Sequence, residues 1–382
     1  MKARRIVVKV GSSSLTGTDG LLSRPRMRAL AQQVAALRSG GAEVILVSSG
    51  AVAAGLARLG WRHSEVTLRE RQSAAAVGQG LLIETYRDLF APQAIEVAQI
   101  LLVRSDLEDR RRYVHVRNTL GTLLRHGVLP IVNENDTVAV EELRFGDNDT
   151  LAGLVAMVAD AGLLVLLTDT DGFYDADPKR VPEAHRIPDV WDVTDSLAEM
   201  AGRSGSQMGT GGMRTKLAAA RIAMDAGIDT LVVSSAEPRV LERAIAGEQL
   251  GTTFHARQDP PPRKKLWMIH GSRAAGRVVL DEGAVDAVLS RSASLLLPGV
   301  VEVAGAFQAG DVVELAAPSG RVIAKGIVNH SSWELQGWLA QRSAGGRARE
   351  LRVVHHREMS VEREVSRDAA VDAGIGVVGP GS

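Results

Sequence analysis

Through about residue 255, short runs dense in Val, Ile and Leu alternate with longer stretches in which apolar residues recur every three or four positions. The first kind of run suits a strand buried on both faces, the second a helix with one face on a core. "RIVVKV" (5–10) predicts an opening strand. "SRPRMRALAQQVAALRSGG" predicts a helix with Ser23 at the N-cap, Met27, Leu30, Ala31, Val34 and Leu37 as one apolar face, and Gly40 at its end. "EVILVSSGA" and "AVAAGLARLG" repeat the strand-then-helix pattern. "GVLPIVNEND", "DTLAGLVAMVADA", "LLVLLTDTDG" and "DTLVVSSAEP" continue it. Such alternation predicts an α/β fold, a mostly parallel sheet sandwiched by helices.

At "TTFHARQDPPPRKKL" the texture changes, and the three prolines followed by Arg263, Lys264 and Lys265 read as a linker. Beyond it, short alternating runs punctuated by glycine predict a second, smaller β-rich domain with one helix over "EGAVDAVLSR". The expected division is 1–256 for the α/β domain, 257–272 for the linker, 273–360 for the β-rich domain and 361–382 for a frayed tail.

Composition narrows the functions. The chain has 382 residues, 45% of them hydrophobic, enough for two cored domains. Its 45 basic and 45 acidic residues cancel, so no global field favours nucleic acid or membrane. With no cysteine, disulfides, thiolate metal sites and cysteine nucleophiles are excluded. The apolar stretch behind the basic start is too short for a signal peptide, and no run reaches the ~20 apolar residues of a membrane helix. A cytoplasmic protein is the expectation.

Ligands of an open parallel sheet collect beyond the carboxyl ends of its strands, and the polar clusters fall there. Lys9 closes the first strand, and "GSSS" (11–14) follows, a turn that reads either as a plain strand end or as a phosphate cradle with Lys9 as point charge. "SSGA" (48–51) opens a helix, and Ser49 there is either a cap or a ligand hydroxyl. "NEND" (133–136) and "FGDNDT" (145–150) combine carboxylates with carboxamides, which are ordinary turn residues and also a suitable lining for a zwitterion. "LLTDTDGFYDADP" (166–178) ends a strand on Thr168 and Asp169 and then hooks, as a surface loop or around a nucleotide. "GTGGMRTK" (209–216) is the most specific: glycines free the backbone, while Thr215 and Lys216 stand at a helix N-terminus. It is not a Walker A sequence, which places glycine directly before the lysine.

Taken together, "VVKVGSSSL", "SSGA", "VNEND", "GDND", the "TD" hook and "GTGGMRTK" resemble, in collinear order, the amino acid kinase family, and within it the glutamate 5-kinases. Aspartate and acetylglutamate kinases carry a second glycine directly after the first-strand lysine and glycine, where this chain has Lys9-Val10-Gly11-Ser12. "LDEGAVDAVL" and "SLLLPGV" resemble a PUA domain, whereas "SAGGRARELRVVHHREM" departs from the pattern. The resemblance implies ATP-dependent phosphorylation of the side-chain carboxylate of L-glutamate, the first step of proline biosynthesis. It implies Lys9, Lys216 and Asp149 as catalytic residues, with Asp149 the acidic residue that orients the lysines. Gly11, Ser12, Thr168, Asp169 and the loop Thr210, Gly211, Gly212, Met213, Arg214, Thr215 and Lys216 would meet ATP, and Ser49, Asp136 and Asn148 would hold glutamate. Mg²⁺ would arrive on ATP, with no side chain assigned as a metal ligand. A homo-oligomer and feedback inhibition by proline are further implications.

A glutamate carboxylate, with a reference pKa near ~4.3, is ionised at neutral pH and requires no general base. What it requires is cations and aimed N–H groups, so Lys9 and Lys216 must converge on one crevice. The competing acceptors are those of sister kinases. RNA binding by the second domain is a competing function of another class, disfavoured because residues 262–382 hold 15 Lys/Arg against 13 Asp/Glu. Trp267, Trp333 and Trp338 read there as packing rather than as base-stacking platforms.

Overall fold

The computed structural model describes residues 5–17, 19–62, 65–139, 148–176, 181, 183–203, 212–291, 293–343 and 351–361. The chain divides into two compact units, Met1–Arg263 and Lys264–Ser382.

The first unit is built on an eight-stranded sheet. Its strands are β1 (Arg5–Val10), β2 (Glu43–Val47), β3 (Val97–Leu102), β4 (Leu129–Glu134), β5 (Leu163–Thr168), β8 (Asp189–Val190), β9 (Asp229–Ser234) and β10 (Thr252–Phe254), in the order β3-β4-β2-β1-β5-β9-β10-β8. A separate two-stranded hairpin joins β6 (Phe173–Tyr174) to β7 (Arg186–Ile187). All neighbours in the large sheet run parallel except β9 and β10. The helices are α1 (Ser12–Leu15), α2 (Arg24–Ser39), α3 (Ala51–Leu59), α4 (Leu68–Phe90), α5 (Arg104–Glu108), α6 (Arg110–Arg125), α7 (Asn148–Val158), α8 (Asp195–Arg203), α9 (Met213–Asp225) and α10 (Val240–Ile245).

Side chains alternate across a strand, and β1 shows what this achieves. Ile6, Val8 and Val10 enter a core with Met27, Leu30 and Val34 of α2 and Tyr86 and Phe90 of α4. Val7 and Lys9 therefore project from the opposite face. α7 packs against β1. The apolar face expected for α2 is buried at all five positions. Ser23 is its N-cap, as expected, yet makes no side-chain capping bond.

α4, which the sequence reading passed over, starts with a capping box. The Thr67 hydroxyl accepts from the Glu70 amide, and the Glu70 carboxylate accepts from the Thr67 amide at 2.7 Å. It then crosses α3 so closely that a Cβ on Gly55 would overlap the carbonyl of Ala74, and one on Gly78 that of Ala51. This crossing fixes the first turn of α3, next to the "SSGA" stretch.

The second unit holds a six-stranded sheet of β11 (Gly276–Leu280), β12 (Leu295–Leu296), β13 (Val300–Gly305), β14 (Val312–Ala316), β15 (Val322–Val328) and β16 (Arg352–Val361), ordered β12-β16-β15-β14-β11-β13. A helix covers Glu282–Arg291, where one was expected, and a second, Ser332–Ser343, was not foreseen. Its signal is the S-x-x-E pair Ser331 and Glu334. The Glu334 carboxylate accepts from the Ser331 amide at 2.9 Å and its hydroxyl at 2.7 Å. Trp267 is buried and Trp338 packs on the core, but Trp333 is 69% exposed and packs little. Within the stretch read as a linker, Arg263–Leu266 is helical, and a π-helical turn, Trp267–Gly271, follows. The expected tail lies outside the described residues beyond Val361. Among the described residues no helix is long and apolar enough to cross a membrane.

Candidate active site

The strand order turns around at β1. The chain proceeds to β2 and β4 on one side and to β5 and β9 on the other, the arrangement that leaves a crevice beyond the strand ends. Lys9, the fifth residue of β1, reaches into it from the α7 face. Its Nζ lies 2.5 Å from Asp149 Oδ1. Lys216, in the first turn of α9, approaches the other oxygen, Nζ to Asp149 Oδ2 at 3.1 Å. The Thr215 hydroxyl stands 3.0 Å from that same oxygen and 2.7 Å from the Gly212 carbonyl. The three charged residues are buried, Asp149 completely and the lysines at 4% and 7% exposure.

This convergence follows from local sequence. Asp149 is the second residue of α7, and Thr215 and Lys216 are the third and fourth of α9. One turn farther along, Gly153 lets the two helices touch, since a Cβ there would stand 2.8 Å from the Ala219 carbonyl oxygen. Gly11 stands over the lysine, where a Cβ would meet Lys9 Nζ at 3.7 Å, an ordinary contact. Two ammonium groups thus converge on one carboxylate, and cations gathered at one spot suit a polyanion.

On the β2–β4 side the Asn148 amide is the hub. Its Nδ2 lies 2.8 Å from the Ser48 carbonyl, 2.9 Å from Ser49 Oγ and 2.9 Å from Asn133 Oδ1. Asn133 Oδ1 also accepts the Glu134 amide at 2.9 Å. These acceptors fix which way the Asn148 amide points, and its Oδ1 is left buried without a hydrogen-bond partner among the described residues. Gly50, with φ of 93°, turns the chain from the serines into α3, a conformation that favours glycine. Behind them, Ser48 Oγ and Tyr86 OH are 2.9 Å apart, and complete burial pushes the Tyr86 hydroxyl well above the ordinary tyrosine range. Gln79 Nε2 donates to the Glu134 carbonyl at 3.3 Å. Asp136 is half-buried in the turn after β4.

On the β5–β9 side, Thr168 is buried and its hydroxyl donates to Asp169 at 3.2 Å. The Ser235 amide donates to the Thr168 carbonyl at 2.8 Å. In the hook beyond, Tyr174 OH donates to Asp171 at 2.7 Å, and Asp171 pairs with Arg186 at 3.7 Å.

Lys9, Gly11, Asp149, Gly212, Thr215 and Lys216 thus meet at one place. Ser49 and Asn148 adjoin it on one flank, while Thr168 and Asp169 stand at the end of β5. Ser12 lies exposed on α1, and Met213 and Arg214 begin α9. Thr210 and Gly211, and residues 145–147 of the "FGDNDT" stretch, lie outside the described residues. Sequence reasoning did not single out Ser48, Asn133, Tyr86 or Ser235. Asn133 heads the quoted "NEND" and is the last inward position of a wholly buried strand, a signal that was available. Tyr86 offered none, since only the fold brings it to Ser48.

A model of the amino acid kinase family matches residues 4–234, and a PUA domain model matches residues 276–354. The glutamate 5-kinase of Shewanella amazonensis is 46% identical over 332 residues, 87% of this chain and 88% of its own length. That of Trichormus variabilis is 48% identical over 336 residues, 87% of this chain and 91% of its own. A solved UMP kinase from Bacillus anthracis, 17% identical, covers 66% of this chain and 96% of its own with a TM-score of 0.46. By family model and by relatives matched over nearly their whole length, the chain belongs to the amino acid kinase family, alongside its glutamate 5-kinases, and carries a PUA domain behind the kinase domain.

Proposed function

We propose that this chain transfers the γ-phosphoryl group of ATP to the side-chain carboxylate of L-glutamate, giving L-glutamyl 5-phosphate and ADP, as the opening step of proline biosynthesis in the cytoplasm. The observation that carries the reading is Asp149 held between Lys9 and Lys216. A carboxylate oxygen of glutamate attacks the γ-phosphorus, the bond to the bridging oxygen breaks, and no proton moves. The chain's work is therefore to bring two anions together and to spread the charge of a loose transition state. Lys9 and Lys216 supply fixed cations on the phosphate oxygens, and Asp149 keeps both tips aimed when no nucleotide is there. The family likeness assigns Gly11, Ser12 and the segment from Thr210 to Lys216, through Gly211, Gly212, Met213, Arg214 and Thr215, to the phosphates of ATP. Thr168 and Asp169 meet the nucleoside end. Mg²⁺ arriving on ATP would supply neutralisation of phosphate charge there. Both oxygens of Asp149 are engaged by lysines, so the donor set fits a polyanion bringing its own cation.

Ser49, Asp136 and Asn148 form the acceptor side. The buried Asn148 Oδ1, without a partner among the described residues, is an acceptor suited to a donor such as the ammonium group of an amino acid. The family likeness further supports a homo-oligomer and inhibition by proline at the acceptor side. The test is incubation with ATP, Mg²⁺ and hydroxylamine, offering glutamate, aspartate or acetylglutamate in turn. Glutamate is expected to give the strong hydroxamate signal. A strong signal from another acceptor alone would overturn the substrate, and none from any of them would overturn the kinase reading.

A further inference from the structure

The serine-rich turn after β1 is held from both flanks. On one side Gly50 abuts it, since a Cβ there would lie 3.8 Å from the Thr16 methyl and 4.0 Å from the Ser12 Cα. On the other, Ser14 Oγ and Ser235 Oγ are 2.8 Å apart across 221 positions of sequence. Ser235 is itself fixed by its amide, which donates to Thr168 at the end of β5. Leu15, completely buried, anchors the turn from below, and Arg26 donates to the Ser13 and Thr16 carbonyls at 2.9 and 2.7 Å. The Ser14–Ser235 contact is thus a side-chain link between the Gly11–Ser14 turn and the β5–β9 strand ends. It lies in neither the lysine cluster nor the acceptor pocket. Both hydroxyls are half-buried, so the bond is sheltered from water without carrying charge.

We infer that Ser235 is a positioning residue: acting through Ser14, it sets the distance between the phosphate-facing turn and the nucleoside end of the crevice. The inference rests on the nucleotide reading above and deepens it. A turn free to shift away from β5 still binds ATP, but it must be drawn back each time, and the cost falls on ATP rather than on glutamate. The net worth of one such neutral hydrogen bond corresponds to a rise in the ATP KM of about three- to tenfold.

The experiment compares Ser235→Ala, Ser14→Ala, the double variant and Ser235→Thr in the full-length chain by steady-state kinetics, with thermal melting as a folding control. Expected are equal increases in ATP KM for the two single alanine variants, no further increase in the double variant, a glutamate KM within about twofold of the parent, and recovery in Ser235→Thr. An unchanged ATP KM in Ser235→Ala overturns the inference while the parent's activity leaves the kinase reading standing. An effect of Ser235→Ala without one of Ser14→Ala also overturns it, because Ser235 would then touch the nucleotide directly. A parent chain with no ATP-dependent activity would sink the kinase reading first.

Discussion

Gly153 of α7 and Ala219 of α9 meet so closely that a single added carbon on the glycine would stand 2.8 Å from the alanine's carbonyl oxygen. Asp149 lies one turn before the first, and Thr215 and Lys216 one turn before the second. The spacing of the charged cluster is therefore set by a backbone contact some distance below it.

Gly153→Ala is expected to force α7 and α9 apart, costing roughly 1–3 kcal/mol of stability by overpacking. It is also expected to lower kcat, because Asp149 would no longer reach both lysines. Thermal melts beside turnover measurements check this, and normal turnover in a destabilised variant would separate the helix contact from the cluster.

Lys216→Ala is expected to lower kcat by about 10²-fold or more in a folded protein, as loss of one preorganised charge does elsewhere. Turnover near that of the parent would remove Lys216 from the proposed chemistry.

Asp149→Asn has a different signature. It takes the carboxylate from two buried ammonium groups at once, and breaking a buried pair in this way costs about 3–5 kcal/mol. Lys216→Ala leaves Asp149 still paired with Lys9. The melting temperature is thus expected to fall further in Asp149→Asn than in Lys216→Ala, by differential scanning calorimetry, and the reverse order would contradict the shared-carboxylate arrangement.

Asp136→Ala is expected to raise the KM for glutamate more than that for ATP. Initial rates over a grid of both substrates decide it.

Like the buried Tyr113, Tyr86 contributes to the loss of stability at alkaline pH. Burial raises its pKa in the folded chain above the ordinary value. Below about pH 10 the hydroxyl is neutral in both states and the stability of the neutral form is fully present. As pH rises beyond that, the unfolded chain ionises first and stability falls. Tyr86→Phe is expected to reduce this slope, leaving the part due to Tyr113, while losing about 1 kcal/mol at neutral pH with the Ser48 hydrogen bond. Denaturant melts on both sides of pH ~10 test it, and an equal alkaline slope in the variant would exclude Tyr86 as the cause.

The sequence displayed the α/β alternation because strands buried on both faces leave apolar runs that loops and helices interrupt. α2 was readable to its last residue for the complementary reason that one face is buried and the other wet. α4 was not, since Gly78 and Gly80 and a string of alanines blur its apolar face. Of these, Gly78 and Ala74 serve the crossing with α3, which is a tertiary demand. Lys9, Asp149 and Lys216 were identifiable from loop chemistry and resemblance, which also implied that Asp149 orients the lysines; what only the fold supplies is that each lysine takes its own oxygen of that carboxylate. Nor could "SSAEP" disclose that Ser235 reaches Ser14, because the link depends on β1, β5 and β9 lying side by side. In the second unit, Trp333 illustrates the opposite error, an aromatic assigned to packing that helix geometry turns outward.

With β1 at the centre, β2 and β4 on its left hand and β5 and β9 on its right, the proposed assignment divides the work by flank. Groups contacting the phosphate giver and groups contacting its receiver are carried largely on separate stretches of chain, which meet at Lys9 and Asp149. A lineage built on this plan is free to exchange one client for another by altering a single flank, leaving the other flank and the shared hinge of charge as inherited.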